Sequence, residues 1–133
     1  MIRATRRGAL AAGLALPAAA SLAKSPRRKP SGTILLHDPS LEAGRRFASA
    51  AQARGDKALA IEGDRIRFAR AVFEKRPAFV VGLSRPADAL LIEEVAREAG
   101  YVLADDRAVR EMTEAAQPLD RGLVLGWMLA PKV

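Results

Sequence analysis

Short apolar runs alternate with longer stretches of helical periodicity between residues 33 and 105. The runs are TILLHD, ALAIEG, AFVVG and YVLAD, and each has an apolar centre that suits a strand buried on both faces. The helices predicted between them are 11 to 15 residues long, which is enough for a helical crossover between parallel strands. Such an alternation restricts the chain to α/β architectures.

Residues typical of helix ends mark the same boundaries. Ser40 and Asp64 are side chains that cap helix N-termini, and Pro86 suits the first turn of a helix. Gly55 and Gly100 follow helical stretches and suit the left-handed conformation that often ends a helix. The sequence therefore predicts a small doubly wound, Rossmann-like or flavodoxin-like three-layer sandwich with a mainly parallel sheet of four or five strands.

The C-terminal part of the chain has a weaker pattern. Residues 105–122 fit either one helix followed by a loop or a segment that is mostly loop. The run GLVLGWMLAP is apolar enough for a fifth strand. Because Gly126 lies inside this run and Pro131 ends it, we expect the strand at an edge of the sheet.

The chain divides into three parts by composition and charge. Residues 1–23 are an apolar leader, residues 24–32 a basic proline-rich linker, and residues 33–133 a single domain. The net charge is +7, but the leader and linker carry the whole excess, and from residue 33 onward 15 basic residues balance 15 acidic ones. This balance argues against a nucleic-acid partner for the domain.

The leader has the features of an export signal. Arginines precede an uncharged run from Gly8 to Ala23, which is shorter than the roughly 20 apolar residues of a membrane span. The run ends in Ser21-Leu22-Ala23, with small residues at the positions that a signal peptidase reads.

The segment Thr5-Arg6-Arg7-Gly8-Ala9-Leu10 resembles the twin-arginine export signal of bacteria, although Ala9 departs from the usual Phe. The resemblance implies that the twin-arginine translocase recognises Arg6 and Arg7 and exports the folded protein to the periplasm. An ordinary secretory leader and an uncleaved leader that tethers the domain to the membrane are the alternatives. Once the leader is cleaved, no stable membrane span is expected.

Candidate binding residues follow the strands, because ligands of open parallel sheets bind at the carboxyl ends of strands where the strand order reverses. With a strand order of 2-1-3-4, that crevice lies between the first and third strands. Arg85 and the helix start at Pro86 suit a carboxylate or phosphate. The residues predicted to bind a small ligand are His37, Asp38, Ser40, Gly82, Ser84 and Arg85.

Structural roles explain some of these residues equally well. Ser84 or Arg85 fits the cap position before Pro86, and Arg85 has an acidic neighbour in Asp88. The sequence contains no GxGxxG or GxxxxGK[ST] motif and no cysteine, so nothing indicates a dinucleotide, a thiolate metal site or another cofactor.

Two kinds of chemistry remain open at the carboxyl ends of the strands. His37 is the single histidine and permits a general base beside Ser40 or Ser84, but the GxSxG motif of many hydrolases is missing. A hard cation is also permitted, although no ligand spacing requires one. The carboxylates for such a site are Asp38, Asp105 and Asp106.

These observations favour an exported protein that binds a small anionic or polar ligand without transforming it. One alternative is an accessory protein that docks on a partner through its last strand, with Trp127 and Met128 as exposed contacts. A small hydrolase is the second alternative.

Overall fold

The structure is a computed structural model that describes residues 32–133. The predicted export leader with Arg6 and Arg7, and the linker up to residue 31, lie outside the described residues. Within residues 32–133, five strands and four helices follow one another. The strands are β1 (Thr33–His37), β2 (Lys57–Ala60), β3 (Phe79–Ser84), β4 (Tyr101–Leu103) and β5 (Leu125–Pro131). The helices are α1 (Glu42–Ala53), α2 (Arg65–Glu74), α3 (Pro86–Glu98) and α4 (Arg107–Ala116).

The strands form one mixed sheet in the order β2-β1-β3-β5-β4. β1 pairs in parallel with β2 on one side and with β3 on the other, as in the order 2-1-3-4 considered from the sequence. That order is wrong for the fourth strand, because β5 lies between β3 and β4. β5 is antiparallel to both of its neighbours, β3 and β4. The protein is therefore an α/β protein with a parallel part and an antiparallel part in one sheet.

The position of β5 corrects the expectation of an edge strand. β5 lies between β3 and β4, with Gly82 opposite Trp127 and Leu103 opposite Leu129. The apolar side chains of β5 can be buried there because other elements pack on the sheet at this position. Trp127 and Met128, predicted as exposed docking contacts, are instead buried in the core. The physical reason is that an interior strand has both edges paired and both faces packed.

Apolar side chains form two clusters of buried residues. The larger cluster joins β1, β3, β4 and β5 to α2 and α3, and within it the rings of Phe73 and Tyr101 lie 4.8 Å apart. The hydroxyl of Tyr101 donates a hydrogen bond of 2.7 Å to the carbonyl of Pro77, which satisfies its polar atom. The smaller cluster contains Leu41, Leu83 and Val124, together with Ala43 and Ala116.

Several helix boundaries are those that the sequence predicts. The carboxylate of Asp64 accepts hydrogen bonds from the backbone N–H groups of Ile66 and Arg67, which caps α2. Pro86 is the first residue of α3. The segment after β4 forms a true helix, α4, whose N-cap Asp106 accepts from the backbone of Ala108. Within residues 32–133, no helix is long and apolar enough to cross a membrane.

Candidate functional site

The carboxyl ends of β1 and β3 lie side by side, as the sequence predicts. His37 is paired with Leu83, and the backbone N–H of Asp38 donates to the carbonyl of Leu83 at 3.1 Å. The chain then turns away from the sheet at both strands, into α1 and into α3. This junction brings the side chains of Asp38, Ser40 and Arg85 together.

Asp38, Ser40 and Arg85 form a network that we call the Asp38 network. One carboxylate oxygen of Asp38 accepts from the backbone N–H of Ser40 at 2.9 Å and from its hydroxyl at 2.7 Å. The other carboxylate oxygen lies 3.3 Å from Nε of Arg85. Nη2 of Arg85 donates to the Ser40 hydroxyl oxygen at 3.1 Å. The side chain of Asp38 is 5 % exposed and that of Arg85 is 44 % exposed, so the network runs from the interior to the solvent.

The network holds Asp38 in its charged form. Burial opposes ionisation of this carboxyl, but the hydroxyl and backbone N–H of Ser40 outweigh that effect, and the charges of Arg85 and Arg65 add to them. The pKa of Asp38 is therefore lower than its usual value. A buried carboxylate at this junction fixes the guanidinium of Arg85 in place.

Arg85 does not pair with Asp88, the neighbour that the sequence offers. Asp88 is instead bound by Arg65 of α2, with Nε to Oδ1 at 3.0 Å. This pair raises the pKa of Arg65 and ties the start of α2 to the start of α3. Arg85 occupies the N-cap position of α3, but its side chain makes no capping hydrogen bond there.

Gly82 and Ser84, predicted to bind a ligand, contact Trp127. A Cβ at residue 82 would lie 2.0 Å from Cζ2 of the indole ring. Ser84 is fully buried, and its hydroxyl accepts from Nε1 of Trp127 at 3.0 Å while it donates to the Arg85 carbonyl at 3.0 Å. Both residues lie within β3, on the side of the sheet that Trp127 fills, so they support the core.

His37 is partly exposed at the end of β1. Its Nδ1 atom is buried without a hydrogen-bond partner among the described residues. Burial lowers the pKa of His37, against the raising effects of the Leu59 backbone and the carboxylates of Asp38 and Glu62. In the part of the chain that the structure describes, neither Ser40 nor Ser84 is hydrogen-bonded to His37, so no activated serine is formed.

Asp120 is the site residue that the sequence did not reveal. Its two carboxylate oxygens accept from the backbone N–H groups of Glu42 and Ala43, each at 2.9 Å. Ser40, the predicted N-cap of α1, is engaged by Asp38, and the residue at the N-cap position is Leu41, whose side chain cannot accept a hydrogen bond. A carboxylate 77 and 78 residues away in sequence therefore caps α1. No sequence signal indicates this contact, because Ser40 suits the cap position and only the structure places Leu41 there.

The carboxylates considered for a cation are not assembled into a site. Asp38 follows β1, whereas Asp105 and Asp106 follow β4, and β3 and β5 lie between those strands. Asp105 pairs with Arg110, and Asp106 caps α4. Within residues 32–133, no three metal-ligating side chains form a cluster.

One open groove lies at the other end of the sheet. It runs between the carboxyl ends of α2 and α3, where Phe73, Val95 and Ala99 line its floor. Arg70 and Glu98 are among its charged side chains. Since helices in this chain run opposite to the parallel strands that they connect, this groove is remote from the Asp38 network.

The chain matches no protein-family model, no curated protein and no solved structure.

Proposed function

We propose that this chain is an exported, non-catalytic protein that binds a small anionic ligand at Arg85, beside Ser40. One observation carries the proposal: the half-exposed guanidinium of Arg85 is fixed at the junction of β1 and β3. Among the described contacts, Nη1 of Arg85 has no hydrogen-bond partner. A planar guanidinium with free donors suits a carboxylate or phosphate.

The Asp38 network supports binding by ordering the guanidinium in advance. An arginine side chain loses considerable rotamer freedom when it binds a ligand, and prior fixation reduces that cost. Asp38 has only a small exposed surface, so its negative charge is directed at Arg85 and Ser40 and not at the solvent. The Ser40 hydroxyl donates its one hydrogen to Asp38 and accepts from Arg85, so it orders the guanidinium and leaves the remaining donors of Arg85 to the ligand.

We also propose that the fold is a doubly wound, Rossmann-like sandwich in its first half, from β1 to α3. The order β2-β1-β3 with parallel pairing supports this proposal, because the strand order then reverses between β1 and β3. The Asp38 network lies at that reversal, where ligands of such folds bind.

Ligand addition to the purified protein tests the anion site. Phosphate, sulfate and small mono- and dicarboxylates are added one at a time, and the melting temperature is measured. A ligand at about 100 times its Kd stabilises the folded state by about 2.7 kcal/mol. We expect one of these anions to raise the melting temperature of the parent protein and to leave that of Arg85→Ala unchanged.

Arg67→Ala is the matched control, because Arg67 is an exposed arginine on α2 whose side chain makes no described hydrogen bond or ion pair with Asp38, Ser40 or Arg85. It should keep the full ligand response. Each variant is compared with its own ligand-free baseline, since Arg85→Ala also removes the charge partner of Asp38. A response that survives in Arg85→Ala, or no response to any anion, would reject the proposal.

Export through the twin-arginine pathway is proposed from the leader residues Arg6 and Arg7. In a bacterium with that pathway, we expect the protein in the periplasm with Lys24 as its first residue. Replacing both arginines with lysine should leave the full-length chain in the cytoplasm. Export of the double-lysine variant at the parent level would favour an ordinary secretory leader.

A further inference from the structure

A second arginine, Arg45 of α1, is held at the same turn as Arg85. Nη1 of Arg45 donates to the carbonyl oxygen of Pro39 at 3.0 Å, and Nη2 of Arg85 donates to the hydroxyl oxygen of Ser40 at 3.1 Å. The two acceptors belong to consecutive residues, and Ser40 is exposed. Two guanidinium groups, one from α1 and one from the start of α3, therefore lie beside one turn at the protein surface.

The distance between the two guanidinium groups has an upper limit. A carbonyl oxygen and the hydroxyl oxygen of the serine that follows it are at most about 5 Å apart, because only five covalent bonds join them. Adding the two hydrogen bonds places Nη1 of Arg45 within about 11 Å of Nη2 of Arg85. A ligand oxygen binds a guanidinium nitrogen at about 2.8 Å. A ligand whose anionic oxygens are about 5 Å apart is therefore long enough to reach both arginines.

The turn that holds the two arginines is itself fixed. The N–H of Leu41 donates to the carbonyl of Asp38 at 3.1 Å, and Pro39 has a restricted backbone. α1 packs directly on the turn, because a Cβ at Gly44 would lie 2.4 Å from the carbonyl oxygen of Asp38. Asp120 binds the free N–H groups at the start of α1. The two acceptors of the guanidinium groups are therefore held in one position relative to each other.

Both guanidinium groups keep donors for a ligand. A guanidinium has five N–H groups, and the described contacts use one of Arg45 and two of Arg85. In the described part of the chain, no carboxylate forms an ion pair with Arg45. The acidic residue in the first turn of α1, Glu42, is bound by Arg46, and Asp120 is bound by the backbone of α1. The charge of Arg45 is therefore available to a ligand.

We infer that the anion site extends to Arg45 and that its ligand carries two anionic groups a few atoms apart, of which a short dicarboxylate is the simplest example. Arg85 binds one group and Arg45 binds the other. The inference rests on the anion site proposed above and names the class of ligand for it. A planar guanidinium matches a carboxylate in bidentate geometry, so each arginine takes a carboxylate of its own. Once the first group is bound, the second is held at high effective concentration beside Arg45, which raises the affinity.

Succinate and butyrate test the inference, because they have equally long carbon chains and differ by one carboxylate. The Kd of each is measured by NMR titration of the full chain at neutral pH and constant ionic strength. We expect succinate to bind the parent protein about tenfold more tightly than butyrate. The backbone amide signals of Ser40 and Arg85 should shift with both ligands, and that of Arg45 should shift with succinate.

Arg45→Ala should raise the Kd of succinate about tenfold and leave the Kd of butyrate unchanged, so that the two ligands bind equally. Arg46→Ala is the matched control, since Arg46 is the next arginine on α1 and is bound to Glu42 instead of the turn. It removes the same charge and should keep the preference for succinate. Arg85→Ala should weaken the binding of both ligands. Circular dichroism is recorded on each variant to check that it is folded.

The outcomes separate this inference from the proposed function. Equal affinities of the parent for succinate and butyrate, or a preference for succinate that survives in Arg45→Ala, would overturn the contact with Arg45 and leave a site for one anionic group at Arg85. A preference that Arg46→Ala also abolishes would overturn it too, because the general positive charge of α1 would then attract the ligand. Binding of neither ligand would overturn the inference, and the wider series of anions described above would decide the proposed function separately.

Discussion

The indole ring of Trp127 occupies the space that any side chain at residue 82 would fill. A Cβ built on Gly82 would lie 2.0 Å from Cζ2 and 2.3 Å from Cε2 of that ring. The same indole donates its N–H to the hydroxyl of Ser84, two residues further along β3. Gly82 therefore leaves the space that the Trp127 ring fills, and Ser84 binds the N–H of that ring.

Gly82→Ala should destabilise the protein by about 3 kcal/mol, because the added methyl group displaces a ring packed in the core. Trp127→Leu removes that ring and should cost about 3 kcal/mol by itself. In the double variant, we expect the additional cost of Gly82→Ala to fall below about 1 kcal/mol. Urea unfolding of the four proteins measures this coupling, and strictly additive costs would show that the ring does not oppose the methyl group.

Asp120 should contribute to stability through α1, although it is far from that helix in sequence. Asp120→Ala leaves the backbone N–H groups of Glu42 and Ala43 without their acceptor, and we expect a loss of about 1 to 2 kcal/mol. Asp56→Ala is the control, since the carboxylate of Asp56 pairs with the exposed Arg54 and with no other side chain of residues 32–133, and it should change stability by less than about 0.5 kcal/mol. Equal losses in the two variants would argue against the cap, and hydrogen exchange at residues 42 and 43 locates the effect.

Asp38 should make the protein sensitive to acid. Its pKa is lower in the folded state than in the unfolded state, so it stabilises the protein above its ordinary value of 3.8 and loses this effect as the pH falls through the lowered value. Asp38→Asn should cost about 1 to 3 kcal/mol at pH 7, because the hydrogen bonds and the pair with Arg85 lose their charge. The difference between parent and variant should shrink as the pH falls below about 4. A difference that stays constant down to pH 2 would contradict an ionised Asp38.

His37 should also make the protein less stable as the pH falls, but at a higher pH than Asp38 does. Burial lowers its pKa in the folded state below 6.5, so the unfolded chain takes up a proton first as the pH falls through 6.5. Stability should decrease from that pH down to the lowered pKa and should not decrease further because of this group. In His37→Leu, this decrease in stability below pH 6.5 should be absent.

The same pKa is directly measurable by NMR, because the chain has a single histidine. The imidazole carbon-bound protons should titrate with a midpoint below 6.5. A midpoint above 6.5 would mean that the carboxylates of Asp38 and Glu62 outweigh burial.

The sequence by itself determined the features that depend on near neighbours in the chain. Apolar runs bounded by glycine and proline predicted the first four strands. Asp64 and Pro86 marked the starts of α2 and α3. The same alternation predicted that the ends of β1 and β3 meet, which brought Asp38 and Arg85 together. These predictions hold because hydrogen bonding in caps and the periodicity of burial act over a few residues.

Only the tertiary structure decided the features that depend on competition between distant partners. β5 is interior and antiparallel because its backbone pairs with β3 and β4 and its Trp127 fits over Gly82, and no local pattern specifies that choice. Arg85 binds Asp38 while Asp88 is bound by Arg65, and Asp120 replaces the expected cap of α1. In each case several partners of suitable chemistry exist in the sequence. The packed chain selects among them by distance and burial, which are properties of the whole fold.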